Sequence, residues 1–110
     1  MENDRELLEL AAKAAGHQIV GWNEQHGVDV AVMKDGSFWQ PLLENPITDC
    51  MGDALRLAVK LGIQIDPRDP ETRAFGPVGD RIDEYHKPDA FFATRRAIVR
   101  AATEIGRAME

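Results

Sequence analysis

Three valines on alternate positions, Val28, Val30 and Val32, followed closely by Asp35-Gly36, constrain this chain more than any other feature. A period of two is the mark of a half-buried strand, and Asp-Gly is a dipeptide preferred in tight hairpin turns. The segment predicts an antiparallel hairpin, and with it a sheet that must bury one face. With Asp35 and Gly36 as a two-residue loop, Val32 faces Trp39 and Met33 faces Phe38. A preceding strand at about 17–22, joined through a loop over 23–27, places Trp22 opposite Val28 and Val20 opposite Val30. The predicted core face is then Val20, Trp22, Val28, Val30, Val32 and Trp39. The other face carries Ile19, Ala31, Met33 and Phe38 and is too apolar to stay wet, so it is expected to be a partner or oligomer interface.

Helical periodicity accounts for three further segments. Asn3 followed by Glu6 has the spacing of a capping box, Leu7, Leu8, Ala11, Ala14 and Ala15 form a stripe, and Gly16 ends it. A second helix starts from Thr48 or Asp49, carries Met51, Ala54, Leu55, Leu57, Ala58 and Leu61, and stops at Gly62. Pro88 and Asp89 open a long last helix with a stripe of Phe91, Ile98, Ala102, Ile105 and Met109. The expected fold is α+β, an antiparallel sheet of three to five strands packed on N-terminal, central and C-terminal helices, in one domain over 1–110. Residues 66–88, with Pro67, Gly76, Pro77 and Gly79, are expected to be mostly a long loop, apart from a short pairing of 63–65 with 73–75. A loop of that length in a small domain is the leading place for a site.

Charge excludes some partners. The net charge of −6 opposes a general nucleic-acid or membrane-surface role, which needs a basic field, and no apolar run approaches the roughly 20 residues of a membrane span. The acidic start Met1-Glu2-Asn3-Asp4 has no basic region of the signal-peptide kind, and Cys50 is the single cysteine, so a cytoplasmic setting is expected. Residues 1–55 hold 3 basic and 10 acidic side chains, whereas residues 56–110 hold 10 and 9. The last helix gathers Arg95, Arg96, Arg100 and Arg107 against Glu104 alone.

No catalytic constellation emerges. His17, His26 and His86 lack the spacing of helix-borne metal ligands, Ser37 has no nucleophile motif around it, and Gly76-Pro77-Val78-Gly79 cannot cradle a phosphate because proline removes a donor. No catalytic residue, metal site or cofactor is expected. The arginines repeat at three- and four-residue steps and form either a solvated face balanced by the acidic first helix or an anion-binding stripe. Arg73, Arg81 and Tyr85 from the 66–88 stretch, with Arg95 and Arg96 from the last helix, are the candidate ligand-binding residues.

Asn45-Pro46-Ile47-Thr48-Asp49 running into 52–61, together with Ala93-Thr94-Arg95-Arg96-Ala97-Ile98-Val99-Arg100-Ala101-Ala102, resembles small uncharacterised phage and prophage proteins distantly similar to the NinX-like family of lambdoid phages. The likeness takes in the three helices, about half the chain. The group tends to run Trp-x-Pro-Leu straight into the helix start, whereas Leu43-Glu44 intervenes here. The resemblance implies a phage-encoded protein acting inside a bacterial host and brings no site residues with it. The functional expectation is a non-enzymatic binding protein, a homo-oligomer that captures a host protein or a small anionic messenger such as a nucleotide in counter-defence. The alternative is a small enzyme on nucleotides or nucleic acid using loop carboxylates and His86.

Overall fold

The computed structural model describes residues 4–25, 27–43, 50–77, 81–87 and 89–109. The order is α1 (Asp4–Ala15), β1 (Ile19–Gln25), β2 (Val28–Met33), β3 (Phe38–Trp39), α2 (Cys50–Leu61), β4 (Gln64–Asp66), β5 (Glu71–Phe75), β6 (Arg81–Tyr85) and α3 (Ala90–Ala108). The fold is α+β with the three expected helices, but the strands form two antiparallel sheets, β1-β2-β3 and β4-β5-β6, rather than one. The proposed caps Asn3, Thr48 and Asp49, together with His26 and Pro88, lie outside the described residues.

The helix ends follow from local chemistry. His17 N–H donates to Ala12 O (2.8 Å) and Gly16 N–H to Lys13 O (3.1 Å), while Ile63 N–H donates to Ala58 O (3.0 Å) and Gly62 N–H to Val59 O (3.4 Å). Both are six-to-one and five-to-two closures around a glycine with positive φ, +76° at Gly16 and +68° at Gly62, where a side chain would be strained. At the start of α3, Asp89 Oδ1 accepts from Phe91 N–H at 2.8 Å, so Asp89 is the cap itself.

On β2 the residues that pack against the helices are Ala31 and Met33 instead of the alternate valines, although Val30 is fully buried as well, and Trp22 and Trp39 are turned to the core as expected. Val32 pairs with Phe38 and Ala31 with Trp39, one residue out of the predicted register. A two-residue loop would need Ser37 N–H for the carbonyl of Lys34. That N–H instead donates to Asp35 Oδ1 (2.9 Å), while Gly36 N–H takes Met33 O (2.9 Å) and Ser37 O accepts from Met33 N–H (2.9 Å). The loop is therefore Lys34-Asp35-Gly36, three residues with Gly36 at φ +87°. On the other side, β1 runs to Gln25, opposite Val28, and Trp22 meets Ala31, with a bulge at Val20. A slip of one residue exchanges the faces. Trp22, Ala31 and Trp39 form one cross-strand row that, with Ile19 and Met33, packs on the helices. Val28 and Val32 stand on the other face with Phe38, and Val20 is 57% exposed. The two tryptophans do share a face, as expected, but not with the valines.

The 66–88 stretch is not mainly loop. It holds β5 and β6, paired through Glu71↔Tyr85 to Phe75↔Arg81, and the expected pairing of 63–65 appears as β4 on β5, with Ile65 opposite Ala74. The polar, arginine-rich strands conceal their period because only Thr72 and Ala74 of β5 are buried.

The core joins Leu7, Leu8, Ala11 and Ala15 of α1, Ala54, Leu57 and Ala58 of α2 and Ala97, Ile98, Ala101 and Ala102 of α3 to Ala31, Met33 and Trp39 of one sheet and Ala74 of the other. α3 touches both other helices as well as β5 and β6, so it is buried on several sides and its predicted stripe is too narrow. Phe91 and Met109, assigned to that stripe, are exposed. α1 and α3 cross so closely that a Cβ on Gly106 would overlap the carbonyl oxygen of Leu10. Beside it the buried Thr103 hydroxyl shares its proton between Leu7 O (2.9 Å) and Val99 O (2.8 Å). Gly106→Ala would stabilise a free helix by about 1 kcal/mol. Here we expect overpacking to win and to cost about 1–3 kcal/mol, read as a lower denaturant midpoint at unchanged slope.

Candidate functional site

The closure of α1 at Gly16 delivers His17 to the gap between the β2–β3 turn and α2. There a groove of about 710 Å³ is lined by His17, Met33, Lys34, Asp35, Ser37, Phe38, Trp39, Asp53, Arg56, Leu57 and Lys60, among others. Met33, Trp39 and Leu57 are buried and form an apolar floor. His17 stands edge-on to Trp39, with ring centroids 5.9 Å apart and planes at 64°. The rim is charged: Lys34 and Asp35 come from the turn, and Asp53, Arg56 and Lys60 from the polar side of α2.

Those charges are not equivalent. Arg56 donates to Asp53 at 3.0 Å. Asp35 accepts from the hydroxyl (2.6 Å) and the N–H (2.9 Å) of Ser37, which holds its carboxyl below the usual carboxylate range. Lys34 and Lys60 form no ion pair among the described residues. Burial, and after it the nearby Lys60 ammonium, push the His17 imidazole below its ordinary value against the opposing pull of Asp53 and Asp35.

The residues predicted to bind a ligand are dispersed and mostly engaged. Arg73 lies 3.3 Å from Glu71 and 4.0 Å from Asp83, and Arg81 lies 3.1 Å from Asp83. Arg96 reaches Asp4 at 3.3 Å and Glu84 at 3.9 Å, with Arg100 on the same Glu84 carboxylate. Arg107 meets Glu104 at 3.6 Å. Arg95 points elsewhere, buried with its guanidinium over the Phe92 ring (6.0 Å to the centroid) and Nε 3.5 Å from Leu42 O. Tyr85 is exposed at the end of β6. The balancing of α3 by the acidic first helix is realised in the Arg96–Asp4 contact. Of the four residues assigned to an interface, Ala31 and Met33 lie in the core of this chain, Ile19 packs against it, and only Phe38 falls on the face away from the helices.

The second sheet holds the arrangement nearest to catalytic geometry. Asp69 Oδ1 lies 3.7 Å from His86 Nδ1, and His86 Nε2 lies 2.9 Å from Thr72 Oγ1. Thr72 Oγ1 is in turn 2.8 Å from Thr94 Oγ1, which donates to Ala90 O at 2.9 Å. With the Thr94 proton committed to that carbonyl, Thr72 donates to Thr94 and His86 Nε2–H donates to Thr72. The order carboxylate, imidazole, hydroxyl is that of a nucleophilic triad, yet Thr72 is 0% exposed and no substrate carbon can reach it. The chain of bonds ties β5 and β6 to α3. No group of three or more metal-ligating side chains occurs among the described residues. None of their helices is long and apolar enough to cross a membrane.

Comparison with known proteins adds no relative: no family model, curated protein or solved structure matches the chain.

His17, Lys34, Arg56 and Lys60 were not singled out together from sequence. Arg56 and Lys60 share the i, i+4 spacing of one helix side, but nothing local links that side to a turn some twenty residues earlier. For the polar network, Thr72→Val keeps the shape but takes away the acceptor of the His86 N–H and the donor to the Thr94 hydroxyl oxygen. A loss of about 1–3 kcal/mol is expected in chemical denaturation, with Thr94→Val in the same background costing less than it does alone.

Proposed function

We propose that this protein is a non-enzymatic binding protein that holds a small anionic ligand in the groove between α2 and the β2–β3 turn. One observation carries the reading. Every described arginine except Arg95 lies within 4.0 Å of a carboxylate, whereas Lys34 and Lys60, on opposite walls of one groove, have no such partner among the described residues. Positive charge left uncompensated on an acidic molecule, above an apolar floor of Met33, Trp39 and Leu57, suits a ligand with an anionic group and a flat or apolar body. A nucleotide has that composition. The likeness to phage proteins gives the setting, capture of a nucleotide messenger in an infected cell as a counter-defence measure.

A second reading, capture of a host protein, draws on α2. Met51, Leu55 and Val59 recur at four-residue steps and all three are exposed, an apolar row of the kind that a partner helix covers. The enzymatic alternative is less well supported, since the Thr72 hydroxyl beside His86 is sealed and Glu71, Asp83 and Glu84 are already in ion pairs.

Binding is tested by thermal unfolding with a panel of mono- and dinucleotides and by titration calorimetry of whichever raises the midpoint. Lys34→Ala and Lys60→Ala should each weaken the best ligand about fivefold, the upper end for a solvent-exposed ion pair, and Arg73→Ala should leave affinity unchanged. Equal losses from all three variants, or no stabilisation by any anion, would remove the groove as the site.

A further inference from the structure

We infer that His17 is itself an anion contact in this groove, taking up a proton as the ligand binds, so that the site fills more readily as pH falls. The inference rests on the groove being the binding site and adds how that site is regulated.

The geometry is the starting point. His17 follows the closed end of α1, in a T-shaped contact with Trp39 and among the residues that line the groove. The charged groups around it come from every neighbouring element: Asp53, Arg56 and Lys60 on α2, Lys34 and Asp35 on the turn, and Glu9 and Lys13 on α1, where a second shallow cleft meets the same histidine. Asp53 is engaged by Arg56, and Asp35 is engaged by Ser37. The field at the ring is therefore finely divided, with Lys60 and burial opposing the charged imidazolium and the two carboxylates favouring it.

An anion entering between Lys34 and Lys60 changes that balance. It cancels the repulsion from Lys60 and offers the ring an acceptor, and both effects stabilise the imidazolium. The sign follows by linkage. In the free protein His17 is neutral near neutral pH, because its proton affinity is depressed. In the complex its proton affinity is raised, so the complex binds more protons than the free protein, and affinity climbs as pH falls through the interval between the two values. Below that interval His17 is charged in both states and the dependence flattens. One group supplies at most one proton, so the steepest change is about tenfold in affinity per pH unit. A neutral imidazole would still donate one N–H to the ligand, so binding persists at higher pH in weaker form.

The probe must keep its own charge constant. Phosphate monoesters titrate near pH 6 and would imitate the effect, whereas sulfate and 3′,5′-cyclic mononucleotides, which are phosphodiesters, do not. Titration calorimetry of the intact protein with sulfate and with cyclic AMP, at steps from about pH 8 to pH 5.5, spans the range in which histidine titrates. Measurement in two buffers of different ionisation heat counts the protons taken up. The expected result is affinity rising toward low pH with uptake of up to one proton, and a flat profile in His17→Gln, which keeps a donor without a titrating charge. Binding that does not vary with pH, or a slope that survives His17→Gln, would overturn the inference while leaving the groove in place. Absence of binding at every pH would overturn both. Should His17→Gln unfold, the proton count on the unaltered protein decides alone, and a count of zero refutes the role given to His17.

Discussion

The crossing of α1 and α3 at Leu10 and Gly106 is the contact on which the remaining architecture depends. Two helices can approach to backbone contact only where one of them lacks a side chain, and both helices contribute small buried alanines to the core, Ala11 and Ala15 from α1 and Ala101 and Ala102 from α3. The buried Thr103 hydroxyl adds a bond to Leu7 O, directional where the alanines are not. With α1 seated this tightly, α3 is left free to meet α2, β5 and β6 on its other sides. A bulky residue at Gly106 would separate the helix that supports the first sheet from the helix that supports the second.

Electrostatics completes what packing begins. The uneven charge of the sequence, acidic at the front and basic behind, is resolved by pairs that join distant segments, such as Asp4 with Arg96 and Arg5 with Asp29, and by ladders within the second sheet, where Arg73 and Arg81 share Asp83. Pairs of this kind are partly exposed and each contributes little to stability. Their larger consequence is for recognition, because an arginine already held by a carboxylate is a poor recipient for a ligand. Among the described residues all the lysines lack a carboxylate partner, and Lys34 and Lys60 stand out because they face one groove, which directs attention away from the arginine-rich helix that composition emphasises.

Legibility in the sequence followed the range of the interactions involved. Helix positions could be read because their start and stop signals are local: an aspartate whose carboxylate reaches two residues ahead, and a glycine that accepts positive φ. Antiparallel pairing could be read from the alternating valines, and the shared face of Trp22 and Trp39 survived even though the register did not. The second sheet was hidden because β6 is Arg-Ile-Asp-Glu-Tyr, whose charged residues form ion pairs, Asp83 with Arg73 across the strands and with Arg81 along its own, and no apolar alternation marks it. The groove was hidden for a related reason, since its lining comes from three segments that local patterns never connect.

What the sequence determined by itself is the α+β class, the three helices, the glycine stops of the first two and the start of the last near Asp89, and the presence of hairpins, all set by interactions spanning five residues or fewer. The tertiary structure decided which face of the first sheet is inside. At the β2–β3 turn, Ser37 N–H binds the Asp35 carboxylate instead of the carbonyl a two-residue turn requires, and with a side-chain period of two that one-residue change sets Trp39 beside Ala31 and Phe38 beside Val32; Ala31 and Met33 pack on the helices, while of the valines only Val30 is fully buried. It also decided which cations remain available, because ion pairing depends on distances between segments as remote as Asp4 and Arg96, and those exist only once the helices have crossed.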